Sequence, residues 1–220
     1  DSVLKSMKGS DIVFHLAALI GIPYSYVSPL AYVKTNIEGT YNVLEAAKNL
    51  KIKNTIVTST SEVYGSAKYL PMDEKHPLNA QSPYAASKIA ADQLALSYYK
   101  SFNLPVKIIR PFNTYGPRQS SRAVIPRIIT QCLINKNKKI TLGNTKPTRD
   151  FNYVEDICNA YFFVLKSKKL TGQIVNVGSN TNISIDKIVK KIMNITKEKF
   201  KISKNKKIIR PKLSEVDNLK

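Results

Sequence analysis

Three short apolar runs alternate with two long helical segments, and this alternation constrains the fold more than any other feature. The runs are "DIVFHLAA" at 11–18, "NTIVTST" at 54–60 and "PVKIIRPFN" at 105–113. Each is dense in branched residues and bounded by Gly, Pro or Asn, which is typical of a buried strand. Buried strands alternating with helices predict an α/β fold with a parallel sheet covered on both faces.

Both helical segments open with the dipeptide Ser-Pro. The first is "SPLAYVKTNIEGTYNVLEAAKNL" at 28–50, with Ser28 as the candidate N-cap and Pro29 at the first helical position. The second is "SPYAASKIAADQLALSYYKSF" at 82–102. After residue 116 the pattern loosens, and we predict helices at 123–135, 153–167 and 184–195 and short strands at 139–142 and 173–178.

The sequence divides at residue 116 into a partial dinucleotide-binding domain (1–116) and a smaller, mixed, mainly substrate-binding region (117–220), which we expect to be interleaved with the sheet. The glycines are not spaced as G-x-G-x-x-G, the turn that a dinucleotide-binding sheet needs after its first strand. We therefore expect about two βα units, roughly 60 residues, to precede residue 1. We also expect the chain to be truncated at its end.

The formal net charge of +20 raises the question of a nucleic-acid partner. The excess is mostly lysine spread along the chain, and the densest basic run, at 197–212, contains a single aromatic residue, Phe200. This pattern argues against nucleic-acid binding as the main function. A small polyanionic ligand such as a diphosphate fits the charge equally well.

The two cysteines, Cys132 and Cys158, are isolated from each other in helix-like surroundings. They provide neither a metal site nor a disulfide framework, which favours a reducing compartment, and we expect a cytoplasmic protein. No segment has the length of a membrane span, and the first residues do not resemble a signal peptide. We therefore expect no metal and no membrane partner.

Tyr84 and Lys88 stand four residues apart in "YAASK", on one face of the predicted helix. A neighbouring ammonium favours the phenolate and lowers the pKa of a tyrosine from about 10. Such a tyrosine can take a proton from an alcohol while hydride leaves the same carbon. Because the spacing also occurs by chance in exposed pairs, its weight depends on its surroundings.

A single carboxylate, Glu62, follows the second apolar run in "TSTSEVYG" at 58–65. One interpretation is a capped strand end with a solvated glutamate. The alternative is a catalytic group at the carboxyl edge of a parallel sheet, where open α/β folds bind their ligands.

Six motifs occur in the order of a known family: "HLAA", "KTNIEGT", "TSTSEVYG", "SPYAASK", "RPFNTYGPR" and "TRDFNYVED". Over about residues 1–212 the chain resembles the extended short-chain dehydrogenase/reductases, and within them the NAD-dependent nucleotide-sugar epimerases and dehydratases. The resemblance implies a Rossmann-like, doubly wound parallel sheet. It also implies NAD as cofactor, with NADP not excluded, and a nucleotide-diphosphate sugar as substrate.

The resemblance assigns a role to each matching residue. Tyr84 matches the catalytic base, Lys88 its partner and ribose ligand, and Thr60 the hydroxyl that binds the reacting sugar. The cofactor is expected at His15, Leu16, Ala17, Ala18, Ser59, Tyr84, Lys88 and Pro111. The nucleotide diphosphate is expected at Asn113, Arg149 and Arg210, because the planar arginine fork pairs two oxygens at once; the alternative for Arg210 is an exposed cation.

Within this resemblance Glu62 favours a 4,6-dehydratase. Oxidation of the sugar at carbon 4 acidifies the hydrogen on carbon 5; a base removes it, water leaves from carbon 6, and hydride returns to carbon 6. Glu62 is the candidate base. Thr-Ser-Glu resembles the GDP-mannose and N-acetylglucosamine types of dehydratase, and Ser61 stands where glucose-type enzymes have an aspartate acid. Since serine is a poor acid, Glu62 itself or a water is expected to protonate the leaving hydroxyl.

Two alternatives stay open from the sequence. A 4-epimerase or a decarboxylase uses the same scaffold, and the Thr-Ser-Glu of residues 60–62 also resembles the nucleotide-sugar decarboxylases related to UDP-xylose formation. A non-enzymatic relative could keep the fold for RNA or protein binding. The intact trio of Thr60, Tyr84 and Lys88 argues against the last. We also expect a homodimer, in which an alanine-rich helix face allows close approach of a second copy (Ala85, Ala86, Ala90, Ala91), and a role in cell-surface polysaccharide biosynthesis.

Overall fold

The computed structural model describes residues 2–134, 139–205 and 210–219. A parallel sheet runs through its centre, formed by β1 (Ile12–His15), β2 (Asn54–Thr58), β3 (Val106–Pro111) and β8 (Ile174–Val177) in the spatial order β1-β2-β3-β8. All of these neighbours pair in parallel. The predicted α/β fold with a parallel sheet is confirmed, and the predicted strand at 173–178 lies in this sheet beside β3.

Alternating side chains along the strands pack against opposite layers of helices. Val57 and Ile108 belong to the core on one face, which α4 (Gly39–Asn49) and α5 (Pro83–Phe102) cover. Their neighbours Ile56 and Ile109 belong to the core on the other face, under α7 (Val154–Lys166). Because a strand points successive side chains to opposite faces, an uninterrupted apolar strand is what a doubly covered sheet requires.

Both predicted Ser-Pro helices are confirmed, but their opening serines behave differently. Ser82 caps α5 because its hydroxyl accepts a hydrogen bond from the backbone N–H of Ala85 at 3.1 Å. Ser28 occupies the predicted N-cap position of the helix that begins at Pro29, but its side chain makes no capping hydrogen bond. The segment after Ser28 begins as α3 (Pro29–Tyr32), widens into a π-helix (Val33–Glu38) and continues as α4. The remaining helices of this part are α1 (Ser2–Met7) and α2 (Ile22–Val27).

The second half of the chain adds smaller units around the sheet. The predicted helices are confirmed as α6 (Val124–Ile134), α7 and α8 (Ile185–Thr196); the expected end of α6 at 135 lies outside the described residues. The predicted strand at 139–142 is β5 (Lys139–Leu142), which pairs with β10 (Lys201–Lys204) beside a core between α6 and α8. The short strands are β4 (Asn113–Tyr115), β6 (Thr148–Arg149), β7 (Phe151–Tyr153), β9 (Ile183–Ser184) and β11 (Asn218–Leu219).

These short strands bring distant segments together. β4 pairs in parallel with β7, and β6 lies between β11 and β9. The segments that carry the arginine and asparagine candidates are thereby fixed near the end of the main sheet. In the described part of the chain, no helix combines the length and apolarity that crossing a membrane requires.

Gly65 ends the turn that carries Glu62, and its backbone has φ +62°. A Cβ at this position would lie 2.5 Å from both the Asn79 carbonyl oxygen and Gln81 Oε1. Gly9 has a similar φ of +82° but nothing within 4 Å of its Cβ position. The two glycines therefore separate the cost of a left-handed backbone from the cost of a collision.

We expect Gly65→Ala to lower the free energy of unfolding by about 2–4 kcal/mol, because it adds overpacking to an unfavourable backbone conformation. Gly9→Ala should cost only about 1 kcal/mol, since the backbone term acts alone. Urea denaturation of the full-length variants measures both. Equal losses for the two substitutions would contradict the packing assigned to Gly65.

Candidate active site

The parallel register places the ends of three strands at one edge of the sheet. His15 is the last residue of β1 and pairs with Val57, one residue before β2 ends. The backbone N–H of Ser59 donates to the Ile109 carbonyl at 2.7 Å, so the chain beyond β2 still follows β3. The candidates at these strand ends, His15, Ser59, Thr60 and Pro111, are therefore brought to the same edge, as the sequence predicts for a parallel sheet.

A short 3₁₀ helix, Ser61–Tyr64, presents the carboxylate. Thr60 is its N-cap, and the Thr60 hydroxyl accepts a hydrogen bond from the Glu62 backbone N–H at 3.2 Å. Ser61 and Glu62 are buried, and the Glu62 side chain is only 11% exposed. The interpretation of Glu62 as a solvated glutamate at a strand end is therefore wrong.

Tyr84 and Lys88 lie on the first turns of α5 and face inward. Tyr84 is 6% exposed, and the nearby Thr60 hydroxyl acts to lower the pKa of its phenol. The Lys88 ammonium is buried and donates to the carbonyl oxygen of Thr58, the last residue of β2, at 2.5 Å. Thr60, Glu62, Tyr84 and Lys88 therefore converge on one buried region.

The electrostatics of Tyr84 differ from the sequence expectation. We predicted that Lys88 lowers the pKa of Tyr84, but in this structure burial raises that pKa, and the negative charges of Glu62 and Asp92 raise it further. Only the Thr60 hydrogen bond opposes this rise. Burial lowers the pKa of Lys88, and Asp92 opposes that change. The helical spacing placed the pair correctly, but their charge state depends on burial and on carboxylates from other segments.

Two arginines face the same region from the second half of the chain. Arg149, at the end of β6, is buried, and Nη1 of Arg210 lies 3.9 Å from Oε1 of Glu62. Burial lowers the pKa of Arg149, as does the like charge of Arg210, whereas Glu62 raises it. Glu62 therefore lies between a phenol on one side and two guanidinium groups on the other. Arg210, only 25% exposed, is not an ordinary surface cation.

Two of the substrate-side candidates carry buried polar atoms that no described residue satisfies. These atoms are Oδ1 of Asn113 and Nη1 of Arg210. Buried polar groups are nearly always hydrogen-bonded, so such atoms call for an explanation. An acceptor and a cationic donor are together suited to a ligand that carries both hydroxyl groups and anionic oxygens.

The cofactor candidates after β1 form an open backbone segment. Leu16 and Ala17 are exposed, Ala18 is half-buried, and a cavity of about 350 Å³ opens beside His15, Leu16 and Ala17. Small side chains there let a ligand approach the backbone closely. Together with the Lys88 ammonium at the neighbouring strand end, these residues fit one side of a nicotinamide dinucleotide.

Sequence reasoning missed three buried polar residues that organise the site. Asn36, in the π-helix, exchanges hydrogen bonds with the backbone of Leu19 and donates to Ser87 on α5. Asp92 and Arg110 form a buried ion pair of 2.8 Å. The available signals were the asparagine within "KTNIEGT", an acid one helical turn after Lys88, and a charge inside the apolar run "KIIRP".

Comparison with known proteins identifies the family. The sequence model of the family described as GDP-mannose 4,6 dehydratase matches residues 1–219. The chain belongs to this family. The resemblance to nucleotide-sugar dehydratases and epimerases inferred from the six motifs is thereby confirmed.

The relatives that the chain resembles are named for different enzyme activities. The chain is 41% identical to a dTDP-D-glucose 4,6-dehydratase of Dictyostelium discoideum over 198 residues, which cover 84% of this chain and 45% of that protein. It is 36% identical to a UDP-N-acetyl-alpha-D-glucosaminuronate decarboxylase of Bacillus cytotoxicus over 200 residues, 87% of this chain and 61% of that protein. The chain thus spans about half the length of these curated relatives, such as the dTDP-D-glucose 4,6-dehydratases that it matches.

Solved structures share the fold over the whole chain. A UDP-glucuronic acid 4-epimerase of Bacillus cereus, in complex with UDP-glucuronic acid and NAD, superposes with a TM-score of 0.91 at 32% identity, covering 100% of this chain and 68% of that one. A 4-epimerase therefore shares this architecture with a chain whose family is described by a dehydratase, and the reaction must be argued from side chains.

His15 provides a pH test of the site. Its Nε2 lies 2.9 Å from Oγ1 of Thr40, and that hydroxyl donates to the Asn36 carbonyl at 2.6 Å. Thr40 can therefore only accept from His15, which assigns the ring proton to Nε2. Burial, and secondarily the charge of Lys88, lowers the pKa of His15 to about 4.

Because the unfolded chain binds this proton near pH 6.5, the contribution of His15 to stability is complete above that pH and is lost as the pH falls toward 4. We expect the free energy of unfolding to fall by about 2 kcal/mol more in the wild type than in His15→Gln between pH 7 and pH 5. Urea titrations of the full-length proteins at both pH values measure the difference. Glutamine can still donate to Thr40, so parallel pH curves would refute the lowered pKa.

Proposed function

We propose that the full-length protein is an NAD-dependent nucleotide-sugar 4,6-dehydratase. The observation that carries the proposal is the buried Glu62 carboxylate on the short turn that Thr60 caps, close enough for its charge to act on the Tyr84 hydroxyl. A 4-epimerase needs one acid–base group at carbon 4. Elimination of water needs a second base, and Glu62 is placed to supply it.

In this mechanism each residue has one task. Tyr84 accepts the proton of the carbon 4 hydroxyl as that carbon is oxidised, and Thr60 orients the hydroxyl. Glu62 takes the proton from carbon 5, and the hydroxyl of carbon 6 leaves as water with one proton added. Glu62 returns its proton to that leaving group directly or through a water, with Ser61 beside it. As hydride returns to carbon 6, carbon 5 is reprotonated through water by the proton that Tyr84 took up.

Lys88, with His15, Leu16, Ala17, Ala18, Ser59 and Pro111, would hold the nicotinamide side of the cofactor. NAD supplies the acceptance of hydride from carbon 4, its return to carbon 6, and a positive ring charge that opposes the raised pKa of Tyr84. The B. cereus relative was solved with NAD. NADP stays possible, because the acidic residue that selects between the two lies beyond the glycine turn.

The substrate that we propose is a nucleotide-diphosphate hexose, with N-acetylglucosamine as the sugar. Arg149 and Arg210 supply positive charge for the diphosphate, and the Asn113 amide supplies a further polar contact. Oδ1 of Asn113 and Nη1 of Arg210 lack a hydrogen-bond partner among the described residues, which supports this assignment.

The second candidate function is a decarboxylase, as in the B. cytotoxicus relative, or a 4-epimerase. A uronic acid substrate would bring a carboxylate to carbon 6. Glu62 already places a negative charge on this side of Tyr84, and two like charges in a buried site are unfavourable. A neutral hydroxymethyl group at carbon 6 therefore suits the site better.

We further propose a cytoplasmic homodimer, with the division at residue 116 separating cofactor and substrate parts. Half of the alanine face is unavailable to a second copy, because Ala85 and Ala91 are buried within the chain, whereas Ala86 is exposed and Ala90 half-buried. Exposed apolar side chains on the preceding helical segment support the dimer instead: Leu30 is 62%, Val33 46% and Tyr41 45% exposed.

The deciding experiment is to incubate the full-length enzyme with NAD and UDP-N-acetylglucosamine, and in parallel with dTDP-glucose. We expect a 4-keto-6-deoxy sugar, identified by mass spectrometry from the loss of one water. N-acetylgalactosamine as the sole product of UDP-N-acetylglucosamine would exclude a dehydratase and favour a 4-epimerase.

Two variants assign the steps. Glu62→Gln should still oxidise carbon 4 but stall before water loss, so NADH absorbance at 340 nm should accumulate without dehydrated product. Tyr84→Phe should slow the appearance of NADH itself by about 10²- to 10⁴-fold, the usual effect of removing a positioned acid or base. Unchanged product formation by Glu62→Gln would refute its role as the base.

A further inference from the structure

One buried ion pair has no task in the mechanism above. Asp92 on α5 and Arg110 on β3 are 0% and 1% exposed. Nε and Nη2 of Arg110 both donate to Oδ2 of Asp92, at 3.0 and 2.8 Å, and the Ser59 hydroxyl donates to the same oxygen at 2.8 Å. Nη1 of Arg110 donates to the Tyr64 hydroxyl at 2.9 Å. The pair thus ties α5 to two strands and to the Glu62 turn.

The place of Asp92 in the sequence puts it next to the reactive residues. It follows Lys88 by one helical turn and Tyr84 by two, so all three lie on the inner face of α5. Its partner Ser59 directly precedes Thr60. Asp92 therefore contacts the segments that carry both halves of the proposed acid–base site.

One oxygen of the Asp92 carboxylate has no hydrogen-bond partner among the described residues. All three donors converge on Oδ2, and no described residue makes a hydrogen bond to the buried Oδ1. Burial raises the pKa of Asp92, while Arg110 and Ser59 oppose that rise. The three hydrogen bonds to Oδ2 favour the ionised form of the carboxylate. A buried negative charge with a bare oxygen acts strongly on neighbouring ionisable groups.

We propose that Asp92, clamped by Arg110 and Ser59, is a positioning residue that keeps the Lys88 ammonium charged and aligned beside Tyr84. This deepens the proposed function and rests on it. Asp92 touches no atom of the substrate; it acts through Lys88 and through the strand end that carries Thr60.

The charges around Lys88 and Tyr84 predict the direction in which the pKa values of these two residues change. Asp92 raises the pKa of both Lys88 and Tyr84. Glu62 on the 3₁₀ turn and Tyr32 on α3 also act on Tyr84, and Lys88 in turn acts on His15 of β1. Replacing Asp92 by asparagine leaves those groups in place, so both pKa values should fall together.

The test is the pH profile of kcat for the full-length Asp92→Asn enzyme, read as NAD-dependent turnover of UDP-N-acetylglucosamine. Activity requires Tyr84 to lose its proton and Lys88 to keep one. Both limbs of the profile should therefore move to lower pH, by about one unit. Asp92→Glu keeps the charge, so its limbs should not move even if its rate falls. Asp156→Asn, the same change at an exposed position of α7, should leave the profile as in the wild type.

A lower rate at every pH with unmoved limbs would overturn the proposal and leave Asp92 a purely structural residue. If Asp92→Asn does not fold because Arg110 loses its partner, Asp92→Asn/Arg110→Gln removes both charges at once. The same downward movement in this double variant supports the proposal, and an unmoved profile overturns it.

A second readout is independent of the activity. Competitive acetylation with acetic anhydride at a series of pH values, followed by peptide mass spectrometry, reports the titration of Lys88 itself. Lys88 should become reactive at lower pH in Asp92→Asn than in the wild type, and identical titrations would overturn the proposal. If the wild type turns over no nucleotide sugar while Lys88 still shifts, the proposed function fails and the role of Asp92 stands.

Discussion

The hydrogen bond from the Lys88 ammonium to the Thr58 carbonyl is the contact on which the site depends. It joins the second turn of α5 to the last residue of β2. This hydrogen bond also brings Tyr84, one turn before Lys88, close to the hydroxyl of Thr60, which follows Thr58 by two residues. A helix and a strand that are separated by 24 residues in the chain thus become one rigid unit. Rigid secondary structure positions catalytic groups more precisely than loops do.

This precision has a cost in stability. Lys88, Asp92 and Arg110 are all buried, and an ion pair in the interior recovers its desolvation penalty only when its geometry is excellent. Removing one partner of such a pair typically costs about 3–5 kcal/mol. Apolar residues of the same size would pack the interface between α5 and β3 without that risk. The charges are therefore better explained by the chemistry at the sheet edge than by the folding of the sheet.

The sequence predicted the framework well because the framework depends on local pattern. Continuous apolar strands and helices opened by Ser-Pro are readable within windows of ten to twenty residues, and β1, β2, β3, α4 and α5 lie where the pattern puts them. The spacing of Tyr84 and Lys88 is also local, so the shared inner face of α5 was predictable. The π-helix was not, because apolar spacing does not distinguish it from the α-helix on either side.

The charge state of the site could not be predicted, because it depends on contacts between distant segments. The raised pKa of Tyr84 results from burial and from Glu62 and Asp92, which lie 22 residues before it and eight after it in the sequence. The hydrogen bonds to Asp92 come from Ser59, which follows β2, and from Arg110 of β3. The missing side-chain bond of Ser28 also involves a neighbouring segment. Ser28 ends α2 as well, and its backbone N–H donates to the Tyr24 carbonyl in the last turn of that helix.

The reaction that this fold performs is decided by a very small part of it. An epimerase superposes on the whole chain, so the sheet, the helices and the Tyr–Lys spacing are compatible with more than one outcome. What distinguishes elimination is a base within reach of carbon 5 after carbon 4 has been oxidised. The base that we propose is Glu62, on a single 3₁₀ turn that Thr60 caps and Gly65 ends. Thr60 caps this turn and also lies close enough to Tyr84 to act on the pKa of its phenol. In the proposed mechanism, oxidation and elimination would therefore share one threonine.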